Sequence, residues 1–302
     1  PPPAATLRDM LERIDHLVCV VPELAGAAAR YEQLGLVLTP ETRHAETGAA
    51  NRACFVGDSA ESASYLELLS VVDEAKARES GREHYIDATA RGGGAVSLAF
   101  GVSNLAHEAR ALESAGYAAP VSSVHRADGS RVCDIAQLDS RGAMPFAITL
   151  IEYPETWESR HERSRTAGRF AHTFPLKRLD HLAAVTPNLD AARAFWTEVL
   201  HVPVFGEIHS PAMTILQMKV GDAIFELLGP AGPDSPMAGR PAALASMAAW
   251  EVTGPLEDAV RLARERGFTC SDPETGVIPG TRRASIPAGE LGGVGMQLLE
   301  YV

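Results

Sequence analysis

Four times along the chain a short apolar run gives way to a segment with helical spacing and then to strand-sized stretches. The first run, "RIDHLVCVV", reads as a mostly apolar strand bounded by Pro22. "PELAGAAARYEQLG" follows with apolar residues at helical intervals, Pro22 in its first turn and Gly35 as its stop. "LVLTPE", "NRACFVG" and "SYLELLSV" supply three more strands, so the first unit reads β-α-β-β-β. The second begins with "GAVSLAFGV" and a helix over "SNLAHEARALESAGY" stopped by Gly116, and later gives the strands "SRVCDIAQL" and "PFAITLIEY". "RLDHLAAVTP", "NLDAARAFWTEVLHV", "PVFGEIH", "AMTILQMKVGD" and "AIFELLGP" make a third, with Asn188 as the expected N-cap. "MAAWEVTG", "PLEDAVRLARERGF", "RRASIPA" and "VGMQLLEYV" make a fourth.

The repetition is that of a duplicated pair. "RIDHLVCVVPEL" and "RLDHLAAVTPNL" open the two halves, and "TLIEY" and "QLLEY" close them. The expected division is 11–153 for the first half, a polar connector over 154–177, and 178–302 for the second. A Pro- and Gly-rich loop, "GPAGPDSPMAGRPA", separates the third and fourth units. A chain of 302 residues is long enough to bury a core in each half.

Composition removes several classes of function. A net charge of −12, from 27 basic and 39 acidic residues, with no basic run, argues against phosphate-backbone binding. No apolar stretch is long enough to span a membrane. The opening "PPPAATLRDM" lacks the charged-then-apolar pattern of a signal peptide. Cys19, Cys54, Cys133 and Cys270 are scattered without a CxxC pair and are expected to be reduced and structural, as in a cytoplasmic protein.

The candidate chemistry lies in the repeat. His16 and His181 occupy the same place in two apolar strands, and Glu67 and Glu226 lie between apolar residues in the matching last strands. A single strand histidine is most often a satisfied core residue. Two in register, each with a matched glutamate whose burial is costly unless paired or metal-bound, point to a site. Asp15 and Asp180 are expected to form surface pairs with Arg13 and Arg178.

At these residues the chain resembles the vicinal oxygen chelate superfamily, which includes glyoxalase I, methylmalonyl-CoA epimerase, extradiol dioxygenases and bleomycin-binding proteins. "DHLVCVVPEL", "GAANRACFVGD" and "YLELLSVVDE" are similar to its glyoxalase-like branch, and "DHLAAVTPNLDAARAFWTEVL" and "FELLGPAGPDSP" to its general form. The resemblance implies an α+β fold in which four βαβββ modules form two curved half-barrel sheets with helices packed outside. It also implies a divalent metal (Zn, Fe, Mn, Co or Ni) that chelates vicinal oxygens of a small substrate, held by first-strand His and last-strand Glu residues. Carried over by position, the ligands are His16, Glu67, His181, Glu226 and Gln297, with Glu67 or Glu226 as catalytic base. Ser97 and Met247 fall where the family carries its other histidines. Thr149, or Glu152 in a shifted register, stands at the last-strand position of the second unit. Glu300, three residues past Gln297, must face the other way. One arrangement unites both repeats: if units one and three shared a sheet, His16, Glu67, His181 and Glu226 would converge on one metal.

The expected activity is that of a metal-dependent isomerase, epimerase or lyase on a small molecule. Neither nucleic acid nor membrane is expected as a partner, and a homodimer is an admissible assembly. Two alternatives stand beside it: an extradiol dioxygenase drawing a second histidine from His209 or His125, and a metal-free binding or resistance protein, for which Ser97, Met247 and Thr149 would be telling. Asn51 and Arg52, in "TRHAETGAANR" with His44, are expected to bind substrate together with Ser97. "SVHRADGSR" reads as a hairpin, Phe195 and Trp196 as core, and "RLARERG" as a solvated helix face.

Overall fold

The computed structural model describes residues 10–125 and 128–302. The first nine residues and two of the segment read as a hairpin, Arg126 and Ala127, lie outside the described residues, and with them most of the segment read for a signal peptide. The first half contains β1 (Arg13–Val20), α1 (Leu24–Leu34), β2 (Thr42–His44), β3 (Ala49–Val56), β4 (Ser64–Val71), α2 (Glu74–Glu79), α3 (Glu83–Ala90), β5 (Gly94–Gly101), α4 (Leu105–Ser114), β6 (Val121–His125), β7 (Arg131–Leu138) and β8 (Ala147–Glu152). After α5 (Trp157–Thr166) come β9 (Leu176–Val185), α6 (Leu189–Ala194) running into a π-helical turn at Phe195–Val199, β10 (Val204–His209), β11 (Met213–Val220) and β12 (Ala223–Pro230). The chain finishes with β13 (Ala243–Leu244), β14 (Met247–Val252), α7 (Leu256–Glu265), β15 (Glu274–Thr275), β16 (Thr281–Ile286) and β17 (Gly295–Tyr301).

Two curled half-barrel sheets result, in an α+β arrangement. Their strand orders are β2-β3-β4-β1-β5-β8-β7-β6 and β10-β11-β12-β9-β14-β17-β16-β15, with β13 added beside β9. Within each unit the first strand runs parallel to the last, and the two units of a sheet meet through antiparallel first strands, β1 with β5 and β9 with β14. Units one and two therefore form one sheet and units three and four the other. The convergence of His16, Glu67, His181 and Glu226 in one cleft is not realised. Consecutive units joined by short connections pair most readily with one another.

The helices end where their capping residues dictate. Asn188 caps α6 through Ala191 N at 3.0 Å. Gly35 stops α1 with φ of 92°, and a Cβ there would also strike the Arg266 guanidinium and the Thr173 hydroxyl. On α7, Leu256, Ala259, Val260 and Ala263 are buried, while Arg261 on the opposite face pairs with Asp258 and Glu265. All four cysteines are free and buried. No helix among the described residues is long and apolar enough to cross a membrane.

One continuous core joins the halves. Trp196, fully buried, stacks on Phe225 of the second sheet at 4.6 Å and meets Phe100 of the first edge-on at 5.7 Å. Two stretches depart from the sequence reading. Residues between β4 and β5, to which the hydrophobic pattern assigns no element, form α2 and α3, the former capped by Asp73. Ala88 and Tyr85 of α3 pack on Val18, Val20 and Leu69, on the concave face of the first sheet. The polar connector holds α5, and its Phe174 is buried.

Candidate functional site

A β-bulge at the same place in both halves sets up the chemistry. On β1 the register against β5 slips between Ile14 and His16, leaving Asp15 as the extra residue; on β9 it slips between Leu179 and His181, leaving Asp180. Neighbouring residues of a regular strand point to opposite faces. The bulge instead lets carboxylate and imidazole meet, His16 Nδ1 at 2.7 Å from Asp15 Oδ2 and His181 Nδ1 at 2.8 Å from Asp180 Oδ1. A tyrosine at the end of each half completes the chain. Tyr153 donates to Asp15 Oδ2 at 3.0 Å and Tyr301 to Asp180 Oδ2 at 2.7 Å.

Asp15 and Asp180 are 3% and 1% exposed, so the expected surface pairing is corrected. A buried carboxylate needs donors on its oxygens, and imidazole plus phenol provide them. Arg178 does approach Asp180 at 3.3 Å, but Arg13 turns to the Ala60 carbonyl and to the Trp157 ring, 4.0 Å from its centroid. Burial opposes ionisation of both aspartates. Hydrogen bonds from the histidines and tyrosines, with Arg160 near Asp15 and Arg178 near Asp180, nevertheless hold both carboxyls below the usual value. With Nδ1 anchored in this way, each histidine presents Nε2 to its concave face.

The C-terminal concave face encloses a cavity of about 230 Å³, lined mainly by apolar side chains such as Met213, Ile215, Leu228 and Met247. His181, Glu226 and Gln297 reach it from β9, β12 and β17. Glu226 is 6% exposed and accepts from the Gln217 amide at 2.8 Å. Gln297 lies within hydrogen-bonding reach of His181. Burial works against the imidazolium of His181, but Asp180, Glu226 and Gln297 together outweigh it and raise its pKa above the ordinary value.

The N-terminal cavity is larger, about 520 Å³, and more polar. His16 Nε2 lies 3.5 Å from Glu67 Oε2, and the Asn51 amide donates to the other Glu67 oxygen. His16 stacks on Tyr65, with ring centroids 4.4 Å apart, and Tyr65 stacks on Phe55 at 4.7 Å. Ser97 lines the same cavity but donates its hydroxyl to the Ala147 carbonyl at 3.1 Å. Thr149 and His44 also line it.

Several expected site residues are elsewhere. Arg52 follows Asn51 on β3 and so faces the other way, bonded to the Thr39 carbonyl at 2.8 Å and to Glu32 at 2.6 Å; it does not line the cleft. Glu152 accepts from the Leu105 backbone N–H at the start of α4, and Glu300 pairs with Arg282, both away from the concave faces. His209 is exposed beside Glu207, and His125 is exposed at the end of β6. Neither reaches the two concave-face cavities, so neither brings a second histidine to His16 or His181 there.

Among the described residues no three His, Cys, Asp or Glu side chains converge as a ready-made cation site. The C-terminal set nonetheless fits a divalent metal. It offers one imidazole nitrogen, one carboxylate and one amide oxygen, and the buried Glu226 charge has a neutral amide as its hydrogen-bond donor, a costly state that a cation relieves. The N-terminal set fits less well, because His16 and Glu67 face each other and the Ser97 hydroxyl is already spent. Sequence reading missed Asp15, Asp180, Tyr153 and Tyr301 as orienting groups. Their signal was present in the paired "DH" and "EY" of each half.

Comparison with known proteins agrees with this architecture. The family model described as "Glyoxalase-like domain" matches residues 14–200, and that described as "Glyoxalase/Bleomycin resistance protein/Dioxygenase superfamily" matches residues 180–284. The first match covers more than half of the chain, which belongs to the glyoxalase-like domain family of the vicinal oxygen chelate superfamily. A mitochondrial methylmalonyl-CoA epimerase of Bos taurus is 39% identical over 112 residues, 36% of this chain and 62% of that protein. The Homo sapiens epimerase is 36% identical over 66 residues, 21% of this chain and 38% of its own. The chain thus spans less than two thirds of the length of the curated relatives it matches. Among solved structures, a variant of 4-hydroxymandelate synthase from Streptomyces coelicolor aligns with a TM-score of 0.66 at 15% identity, covering 96% of this chain and 93% of that one. A Mn(II)-bound glyoxalase from Novosphingobium aromaticivorans aligns with a TM-score of 0.62 at 12% identity, covering 97% and 84%. At these identities the likeness is one of fold.

Proposed function

We propose that the C-terminal cleft is the reaction centre of a metal-dependent isomerase, epimerase or lyase that moves a proton on a small oxygenated substrate. The observation that carries this reading is the meeting of His181, Glu226 and Gln297 from three strands on one mainly apolar cavity. His181, Glu226 and Gln297 would hold a divalent cation. When bound, it would supply Lewis-acid stabilisation to neighbouring substrate oxygens. Asp180 and Tyr301 keep the His181 ring aimed, and Gln217 keeps one Glu226 oxygen in place. The second Glu226 oxygen, which would hold the cation at rest, would on release take a proton from the substrate carbon and return it. Met213, Ile215 and Leu299 exclude water from that exchange. The curated relatives are methylmalonyl-CoA epimerases, which makes the α-carbon of an acyl thioester the first carbon acid to assay.

Elemental analysis of gently purified protein tests the metal. About one equivalent of divalent metal per chain, lost in His181→Ala and retained in His16→Ala, is the expected result. Protein that carries no metal and takes up none of Zn, Fe, Mn, Co or Ni would overturn the proposal. The proton step is read separately, as deuterium incorporated from D₂O into methylmalonyl-CoA, and Glu226→Gln should slow it by about 10² or more.

A further inference from the structure

The N-terminal concave face is not a copy of the C-terminal one, and what distinguishes it comes from segments outside the repeated strands. α3 closes one end through Tyr85, with Arg82 just before it. The segment after α5 brings Arg169 to the other end, its guanidinium 4.9 Å from the centroid of Phe55. Phe55, Tyr65 and His16 form a continuous aromatic stack along one wall. Val18, Leu69, Val132, Ile135 and Ile151 give apolar floor.

Charge is inverted here relative to the whole molecule. Acidic residues outnumber basic ones 39 to 27 over the chain. This cavity, however, is lined by two arginines and one carboxylate, Glu67, which is already engaged by Asn51 and His16. Among the described residues Arg169 forms no ion pair, and its recorded partner is the Phe55 ring. Burial and the neighbouring Arg163 and Arg160 guanidiniums hold Arg169 below the ordinary arginine value, a setting that an anion would relieve. Arg82 donates to the Ser80 carbonyl at 2.8 Å and likewise forms no ion pair among the described residues. A guanidinium on an aromatic face, next to an apolar floor, is a fitting receptor for a planar carboxylate.

We propose that the N-terminal cleft is a separate binding site for a small organic carboxylate with an aromatic or other planar body. Arg169 receives the anion, the edges of the Phe55–Tyr65–His16 stack and the apolar floor flank the planar body, and Arg82 adds positive potential at the far end. A cavity of about 520 Å³ lies in the range that accepts such molecules. The site needs no metal, so it stands or falls independently of the C-terminal reaction centre.

The test uses 3-phenylpropionate and its neutral counterpart 3-phenylpropan-1-ol as probes, with metal-free full-length protein and tyrosine fluorescence or calorimetry as readout. The acid should bind and the alcohol should bind at least about tenfold more weakly. Arg169→Gln should weaken the acid by about tenfold or more while leaving the alcohol unchanged, and His181→Ala should leave both unchanged. Equal affinity for acid and alcohol, no detectable binding of the acid, or loss of binding in His181→Ala would each overturn the proposal. The comparison of acid with alcohol on the wild-type chain keeps the test decisive should Arg169→Gln fold poorly.

Discussion

The two concave faces share a framework and diverge in what fills it. Each has a bulged Asp-His pair, a tyrosine on the aspartate and a glutamate on the strand paired beside the histidine's own. In the C-terminal face Gln297 stands where the N-terminal face has Thr149, each opposite an alanine on the neighbouring strand in equivalent register. That single change supplies a third donor to one cavity and withholds it from the other. The N-terminal face gains α3 and the segment after α5 as end walls, along with two arginines. The C-terminal face has at the first of those places the short β13 and its loop. Duplication thus preserved the part that orients an imidazole, while insertions outside the repeat changed what each imidazole meets.

The comparison can be broken or sharpened by graded substitutions. The largest effect should come from the core that both faces share. Trp196→Ala removes a fully buried ring between Phe225 and Phe100 and should cost about 3–5 kcal/mol in denaturant unfolding. Perturbation of the tyrosine-rich N-terminal cavity and of the C-terminal one in the same transition is the expected outcome, and two separate transitions would show the halves to be energetically independent.

Next in size is the orienting carboxylate. Asp180→Asn leaves His181 in place with its ring less firmly held, and should weaken metal binding by about 10- to 100-fold in competition with a chelator. The matched Asp15→Asn should leave that affinity unchanged. Equal loss in both would assign a metal role to the N-terminal face.

Acid stability distinguishes the aspartates more finely. Both are held below their unfolded value, so the stability they confer is complete above about pH 4 and is lost as pH falls through the lowered folded value. Tyr153→Phe or Tyr301→Phe removes one donor to a buried carboxylate and should cost about 1–2 kcal/mol near neutral pH, with the acid transition moved upward. Thermal melts at a series of pH values read both effects. The smallest expected change is Arg160→Gln. It removes the guanidinium lying 3.2 Å from the Tyr153 ring centroid and should cost about 1 kcal/mol, without effect on metal binding at the other face.

Much of this was legible in the residues themselves. The four-unit repeat and the α1 and α6 caps follow from apolar periodicity and from the conformational demands of Asn188 and Gly35. The matched pairs His16 with His181 and Glu67 with Glu226 follow from the repeat, and each of these residues lines a cavity. The opposite facing of Gln297 and Glu300 follows from strand alternation alone. These are local properties, decided by spacing of two or of 3.6 residues.

The rest depended on which strands meet. Whether β1 pairs β5 or a strand of the other half is a contest between long-range contacts that no local pattern encodes, and its outcome separated the two histidines. The bulges at Asp15 and Asp180 break the alternation that made surface pairing the natural expectation. Arg52 was misplaced because it was grouped with Asn51, its neighbour on the same strand, whereas strand alternation turns it to the opposite face. Arg169 and Arg82 come from a polar connector and from a stretch with no strand signal, so only tertiary packing brings them to the same concave surface. Sequence determined the repeated strand, its imidazole and its carboxylate; tertiary structure decided what each imidazole faces, because burial and pairing are properties of neighbours distant along the chain.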